Sequence, residues 1–340
     1  MQKETIKTYY CSKLGEIGGY IPGDRRIVVL IDSALVEMYG NLFPYPAISV
    51  EAREESKSFL KVEEITLRLM EMGADRGTFL LVVGGGILSD LGGFIASIYF
   101  RGIDFAYVPT TLLAQVDASI GGKCAINVSG YKNILGVVKQ PCFTLFCGEF
   151  LNSLPKKEVE AGLAEMMKTF LLADRSVYFD AVDSLTGTSP FLKRISNISE
   201  LLPFIKKAAE IKISVVERDP YEKGERKLLN LGHTFAHALE KLCSVSHGEG
   251  VSIGIALAAK LSVKLRLLES SEGDKILRDM EQLGLPVKSP VAPRELTEII
   301  TKDKKRDGDN IQFVLLKSIG TAVIYPISID RLKGVLNDLS

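Results

Sequence analysis

Apolar residues along this chain fall into two rhythms. Arg26-Ile-Val-Val-Leu-Ile31, Phe79-Leu-Leu-Val-Val83 and Phe105-Ala-Tyr-Val108 are short runs rich in branched and aromatic side chains. Each predicts a strand buried on both faces. The runs close on Asp32-Ser33, on Gly84-Gly85-Gly86 and on Pro109-Thr110-Thr111. Between the first two, Glu54 and Lys57 open a helical stretch through Leu60, Ile65, Leu67 and Met70. Strands alternating with helices predict a parallel sheet covered by helices.

The second half is mostly helical. Glu158 to Lys168 starts a helix with Glu165 and Lys168 one turn apart on the same side. That pair is either a surface ion pair or a carboxylate ligand beside a substrate lysine. Lys206, Lys207 and Lys212 lie on a helix leading to Glu217-Arg-Asp219, and a helix rich in small residues (Gly254, Ala256, Ala258, Ala259) follows His247. Ile311 to Leu316 and Thr321 to Tyr325 flank Ile319-Gly320 as a hairpin. The change of rhythm predicts an α/β domain over 1–154 and a mainly helical domain over 155–340.

Composition narrows the class. A chain of 340 residues suggests about two to three domains. Its 42 basic and 42 acidic residues cancel, which argues against a partner recognised by bulk charge, nucleic acid or membrane surface. No apolar run is long enough to span a bilayer, and Met1-Gln-Lys-Glu-Thr-Ile6 lacks a signal core. The five cysteines form no C-x-x-C pair and read as thiols of a cytoplasmic enzyme.

All three histidines fall between Arg226 and Gly250. Arg226, Asn230, His233 and His237 step by four, three and four residues, a stripe on one face of a single helix. Leu228, Leu229, Leu231, Phe235 and Leu239 occupy the other face. A guanidinium, an amide and two imidazoles suit a metal or proton-transfer site better than a wet surface. His233 and His237 could share one ion, and spacing leaves open which two of His233, His237 and His247 bind.

The first half carries anion-binding features. Gly84-Gly85-Gly86, after a strand and before a helix, is a phosphate cradle in which backbone N–H groups and the helix terminus offer positive potential. Ser89 holds the last position of an imperfect G-x-G-x-x-G. Asp32 could hold ribose hydroxyls or simply cap a helix. Asp117-Ala-Ser-Ile-Gly-Gly-Lys123 and Gly130-Tyr-Lys132-Asn133 are either a phosphate grip or a solvated loop.

Five motifs, in order, resemble the 3-dehydroquinate synthase family, the sugar-phosphate cyclase branch of a superfamily shared with iron-dependent polyol dehydrogenases. They are Gly84-Gly85-Gly86-x-x-x-Asp90, Asp117-x-x-x-Gly-Gly-Lys123, Ala164-Glu165-x-x-Lys168, Arg226-x-x-x-Asn230-x-x-His233-x-x-x-His237 and His247-Gly-Glu249. The resemblance runs from about Asp32 to Leu316. It implies a Rossmann-like α/β domain with a parallel sheet, followed by a mainly α-helical metal-binding domain.

By position, the resemblance implies Glu165, His233 and His247 as ligands of zinc or cobalt. Asp32, Glu54, Lys57, Gly85, Gly86, Ile87, Asp90, Thr110, Thr111, Leu113, Asp117, Lys132 and Ser153 match contacts to NAD. Lys123, Asn133, Lys168, Lys212, Glu222, Arg226, Asn230 and Lys304 (in preference to Lys305) match the substrate site, and His237 a residue that touches substrate and moves protons. Arg101 matches an arginine reaching the neighbouring subunit's phosphate, so a homodimer is implied. Ala34, Ser89, Ser153 and Gly250 depart from the family pattern.

The implied reaction converts 3-deoxy-D-arabino-heptulosonate 7-phosphate to 3-dehydroquinate and phosphate, a step of the shikimate pathway. Its stages are transient oxidation with NAD, phosphate elimination, re-reduction, ring opening and aldol closure. The alternatives are another sugar-phosphate cyclase, a metal-dependent polyol dehydrogenase, or a non-catalytic metabolite-binding regulator on the same scaffold.

Overall fold

The computed structural model describes residues 6–186, 201–302, 306–307 and 310–337. They form two compact units, one from the described residues of 1–155 and 198–221, the other from those of 156–197 and 222–340.

In chain order the strands of the first unit are β1 (Thr8–Cys11), β2 (Ile27–Asp32), β3 (Ala47–Val50), β4 (Phe79–Gly84), β5 (Asp104–Pro109), β6 (Lys123–Val128), β7 (Tyr131–Val138) and β8 (Phe143–Cys147). Its helices include α1 (Ser33–Tyr39), α2 (Phe59–Glu71) and α3 (Gly86–Ile98). Six strands make one parallel sheet in the order β1-β8-β5-β4-β2-β3. Side chains alternate across it. Val28, Leu30, Leu80, Val82, Phe105 and Tyr107 face Ile65 and Leu69 of α2 and Leu88, Leu91 and Ile95 of α3. Ile27, Val29, Ile31, Phe79, Leu81, Val83, Ala106 and Val108 pack with Ile17, Leu145 and Phe150 on the other side. Every position of β4 is buried, which is why it reads as an unbroken apolar run.

The segment 117–133, left open as a grip or a loop, lies in the turn Ala114–Ala118 and the antiparallel hairpin β6–β7 that follows it. Seven of the eight β7 residues are exposed, so no apolar alternation announces the strand.

The second unit contains α4 (Lys156–Ala173) and α5 (Arg175–Thr186). Between α5 and the next helix of this unit the chain forms α6 (Leu202–Arg218), which groups with the first unit. Ala209 of α6 packs with Ile120 and Phe146 there, and Lys212 pairs with Asp117. The second unit then continues with α7 (His233–Leu242), α8 (His247–Lys264), α9 (Ser270–Gln282) and α10 (Pro293–Lys302). A small sheet follows: β9 (Arg306–Asp307), β10 (Asn310–Ser318) and β11 (Thr321–Ser328), in the order β11-β10-β9, and then α11 (Ile329–Asn337). The expected hairpin is β10–β11, turned at Gly320 with φ of 88°. Among the described residues no helix is long and apolar enough to cross a membrane.

One expectation fails. Arg226, Asn230, His233 and His237 do not share a helix. Glu225–Asn230 is a 3₁₀ turn, and α7 begins at His233 after Gly232, whose φ is 78°. A Cβ on Gly232 would lie 2.7 Å from the Ile255 nitrogen and 2.9 Å from the Gly254 carbonyl carbon. The close approach to α8, not local preference, breaks the helix.

Candidate metal centre and nucleotide cleft

The candidate metal centre lies within the second unit. Glu165 comes from the middle of α4, His233 from the first turn of α7 and His247 from the first turn of α8. One donor atom from each falls within 4.8 Å of the other two. The Nε2 atoms of His233 and His247 stand 3.5 and 3.2 Å from Glu165 Oε1. Their Nδ1 atoms face outward, to the Leu231 carbonyl oxygen at 3.2 Å and to Glu240 Oε1 at 2.9 Å. Partners on Nδ1 set the tautomer and turn Nε2 inward, as metal-bound imidazoles require. Two imidazole nitrogens and one carboxylate oxygen suit zinc or cobalt and leave coordination open.

The Glu165–Lys168 pair is no surface ion pair: both side chains are buried, and the ammonium holds Glu165 Oε2. Burial would raise the Glu165 carboxyl, but Lys168, His233 and His247 hold it well below its usual range. Burial and the Lys168 charge push His233 down to about 3, so its ring is neutral. Burial disfavours charge on His247 too, yet its hydrogen bonds to Glu165 and Glu240 outweigh that and push it up to about 10. A divalent cation approaching Nε2 must displace that proton.

His237 is not in this donor set, although its ring is centred as near to that of His233 (5.7 Å) as the ring of His247 is (5.6 Å). The i, i+4 pair is therefore not the one the fold assembles. Arg226 is buried, and Asn230 donates to Glu222 Oε1 at 2.5 Å. Lys304 lies outside the described residues. Glu240 was missed by sequence reading; its position two turns after His233 on one helix face was the available signal.

The candidate nucleotide site belongs to the first unit. Because the strands are parallel, β2, β4 and β5 end on one edge of the sheet, presenting Asp32, Gly85, Gly86, Thr110 and Thr111 together. The chain leaves β2 toward β3 and later returns to β4 on the other side, so a topological switch point lies between β2 and β4. Gly85 caps α3, whose first turn, with Ile87, offers unpaired N–H groups and the positive dipole end. A Cβ on Gly85 would sit 2.9 Å from Thr111 Cγ2. The edge fits a pyrophosphate. Asp32 caps α1 by accepting from Ala34 N at 3.1 Å, one of its two expected uses. Buried Ser89 donates to the Gly85 carbonyl at 3.2 Å, and Ser153 accepts from the Tyr39 hydroxyl at 2.8 Å.

Leu113 precedes the turn that carries Asp117, and Lys212 Nζ meets Asp117 Oδ1 at 2.7 Å. Lys123 and Lys132 are exposed on the hairpin β6–β7. Lys57 bridges Asp90 Oδ2 at 2.6 Å and Asn133 Oδ1, while Glu54 accepts from Asn127 at 2.7 Å. Arg101 is exposed on a turn where Phe100 and Arg101 hold φ of 49° and 68°.

Burial raises the Asp90 carboxyl to about 6, with Lys57 pulling the other way. An acid raised on folding stabilises the fold at low pH and loses that contribution as pH climbs from its unfolded value toward about 6. Lys57→Met should move this window upward and destabilise the unit by about 2 kcal/mol. That is less than the ~3–5 kcal/mol of a fully buried pair, since Asp90 keeps 23% exposure. Carboxyl ¹³C titration and thermal melts read both changes; an Asp90 value that stays put removes Lys57 as its main counter-charge.

A glycine-edged α/β unit with a helical unit holding two imidazoles and a carboxylate has the parts of a nucleotide- and metal-dependent enzyme. Residues 47–161 match the family described as 3-dehydroquinate synthase N-terminal, and residues 162–306 match 3-dehydroquinate synthase C-terminal. The 3-dehydroquinate synthase of Thermodesulfovibrio yellowstonii is 37% identical over 329 residues, 92% of this chain and 90% of that protein. That of Coxiella burnetii is 41% identical over 330 residues, 92% of this chain and 90% of its own. The chain belongs to the 3-dehydroquinate synthase family.

Among solved structures, 2-epi-5-epi-valiolone synthase of Streptomyces hygroscopicus, with NAD+ and Zn2+ bound, superposes with a TM-score of 0.87 at 26% identity, covering 100% of this chain and 98% of that one. A 2-deoxy-scyllo-inosose synthase complexed with carbaglucose-6-phosphate, NAD+ and Co2+ gives 0.85 at 26% identity, covering 97% and 96%.

Proposed function

We propose that the protein is a 3-dehydroquinate synthase, converting 3-deoxy-D-arabino-heptulosonate 7-phosphate to 3-dehydroquinate and phosphate. The observation that carries the reading is the convergence of Glu165, His233 and His247 in a chain that synthases of this name match over 92% of its length. Bound NAD supplies a transient hydride acceptor, and a bound divalent cation supplies positive charge beside the hydroxyl being oxidised.

The chain's own residues do the rest. Glu165, His233 and His247 hold the cation, with Glu240 and the Leu231 carbonyl orienting the rings. Asp32, Glu54, Lys57, the Gly85–Ile87 cradle, Asp90, Thr110, Thr111, Leu113, Asp117, Lys132 and Ser153 position the dinucleotide. Lys123, Asn133, Lys168, Lys212, Glu222, Arg226, Asn230 and Lys304 are, in this reading, the groups that recognise a substrate with a phosphate and a carboxylate. Two anionic groups account for so many cations in a chain of zero formal net charge. Lys168 also keeps Glu165 ionised, and His237 moves a proton at the substrate.

The protein works in this reading as a homodimer. Exposed Phe59, Leu60, Leu67 and Met70 on α2, and exposed Tyr131 and Ile134 on β7, offer apolar surface for a second copy, and Arg101 reaches toward that copy's phosphate. Given the heptulosonate phosphate and NAD, the protein should release phosphate without accumulating NADH, and a chelator should stop it. Net NADH formation would move it to the polyol dehydrogenases. Release from glucose 6-phosphate or sedoheptulose 7-phosphate alone would move it to another cyclase.

A further inference from the structure

The hairpin β6–β7 carries Lys123, Lys132 and Asn133 but owes its shape to a residue in none of the motifs. Its turn is two-residue, Ser129 and Gly130, both with positive φ (50° and 80°), the geometry that matches the twist of paired strands. The ladder then breaks. Val128 pairs with Tyr131, and the next pair is Ile126 with Leu135. Asn127 alone therefore stands opposite three residues, 132–134, and Asn133 sits in the left-handed region with φ of 54°. A bulge of this kind leaves backbone groups without ladder partners and persists only where its surroundings supply them.

Asn127 supplies them. Its Oδ1 accepts the Asn133 N–H at 2.8 Å. Its Nδ2 donates to Glu54 Oε1 at 2.7 Å and to the Glu54 carbonyl at 3.2 Å. Its own N–H donates to the Lys57 carbonyl at 2.7 Å, and Lys57 Nζ returns to Asn133 Oδ1. One amide thus ties the bulge to the turn bearing Glu54 and Lys57. An amide offers both ends on separate atoms, a donor for a carboxylate and an acceptor for a backbone N–H.

We propose that Asn127 is a positioning residue with two separable roles. Its Nδ2 holds the Glu54 carboxylate in place for the dinucleotide, and its Oδ1 holds Asn133 in the left-handed conformation that presents its amide to the sugar phosphate. The proposal rests on the functional reading above for the identity of the two ligands.

Two variants separate the roles. Asn127→Ala removes both ends and should weaken the NAD dissociation constant and raise KM for the heptulosonate phosphate by about tenfold each, the order of one lost hydrogen bond to a charged or strained partner. Asn127→Asp keeps the acceptor for Asn133 and places a carboxylate against Glu54. It should weaken NAD by about tenfold or more while KM for the sugar phosphate, at saturating NAD, stays within about twofold of the parent. A merely structural role lowers the melting temperature and leaves both constants in place; that result overturns the proposal, as do equal losses of both ligands in Asn127→Asp. Should Asn127→Ala fail to fold, the near-isosteric Asp variant carries the test alone. NAD titration without sugar phosphate keeps the Glu54 role measurable even if the parent proves to turn over another sugar.

Discussion

His233→Ala is expected to abolish phosphate release and to strip the protein of its divalent cation, with the fold intact. His233 gives its Nε2 to the cluster and its Nδ1 only to a backbone carbonyl, so its loss leaves no buried charge stranded. A cation contributes several kcal/mol to stabilising developing negative charge, so turnover should fall by roughly 10³-fold or more at ~1.4 kcal/mol per decade. Glu165→Gln should reach the same activity by a costlier route. The amide removes the anionic ligand and also takes the Glu165 charge away from the Lys168 ammonium, buried at 1% exposure. Breaking a buried pair from one side costs about 3–5 kcal/mol, so this variant should also melt earlier. Metal analysis, phosphate release and melting curves on the two proteins together make the test. Full activity of either with no bound metal would remove the cluster from the mechanism.

Gly248→Ala should be nearly as damaging without touching a ligand. Gly248 follows His247 in the first turn of α8, and an added Cβ would run into the Cα and Cβ of Ala161 on α4. Ala161 is one turn before Glu165 on that helix. The obstructing atoms include backbone, so the helices themselves must separate, and overpacking of this kind costs about 1–3 kcal/mol. Separation also draws Glu165 from His247, and a displacement near 1 Å can cost about 10²-fold where groups must converge. Metal affinity measured by chelator competition should drop alongside the melting temperature. A variant that binds metal normally would mean that α4 and α8 yield locally, without transmitting the shift to the donor atoms.

How much of this was legible in the sequence depended on burial. The strands β2, β4 and β5 are covered on both faces and wrote themselves as apolar runs. By contrast β7, exposed almost throughout, and the short β1 and β3 carry no such pattern. The helical stripe through Arg226 and His237 was a sound reading of local spacing that Gly232 defeats through its contact with α8, which lies outside any local window. Spacing also favoured the His233–His237 pair, whereas the fold chooses His247 from the next helix and a glutamate from α4. Family motifs named those ligands because they preserve what folding brings together. Glu240 and Asn127 act on other residues and not on a ligand, so they escape a search for reactive groups.

The end of α7 at Leu242, which puts His233 and His247 on different helices, has a consequence for the order of assembly. Had both imidazoles sat on one uninterrupted helix, a nascent segment could trap an ion as soon as that helix formed. With the donors drawn from α4, α7 and α8, no single helix carries this set of three. Capture must wait until α8 has been synthesised and has docked, so ion uptake during refolding becomes a late clock for the helical half of the chain.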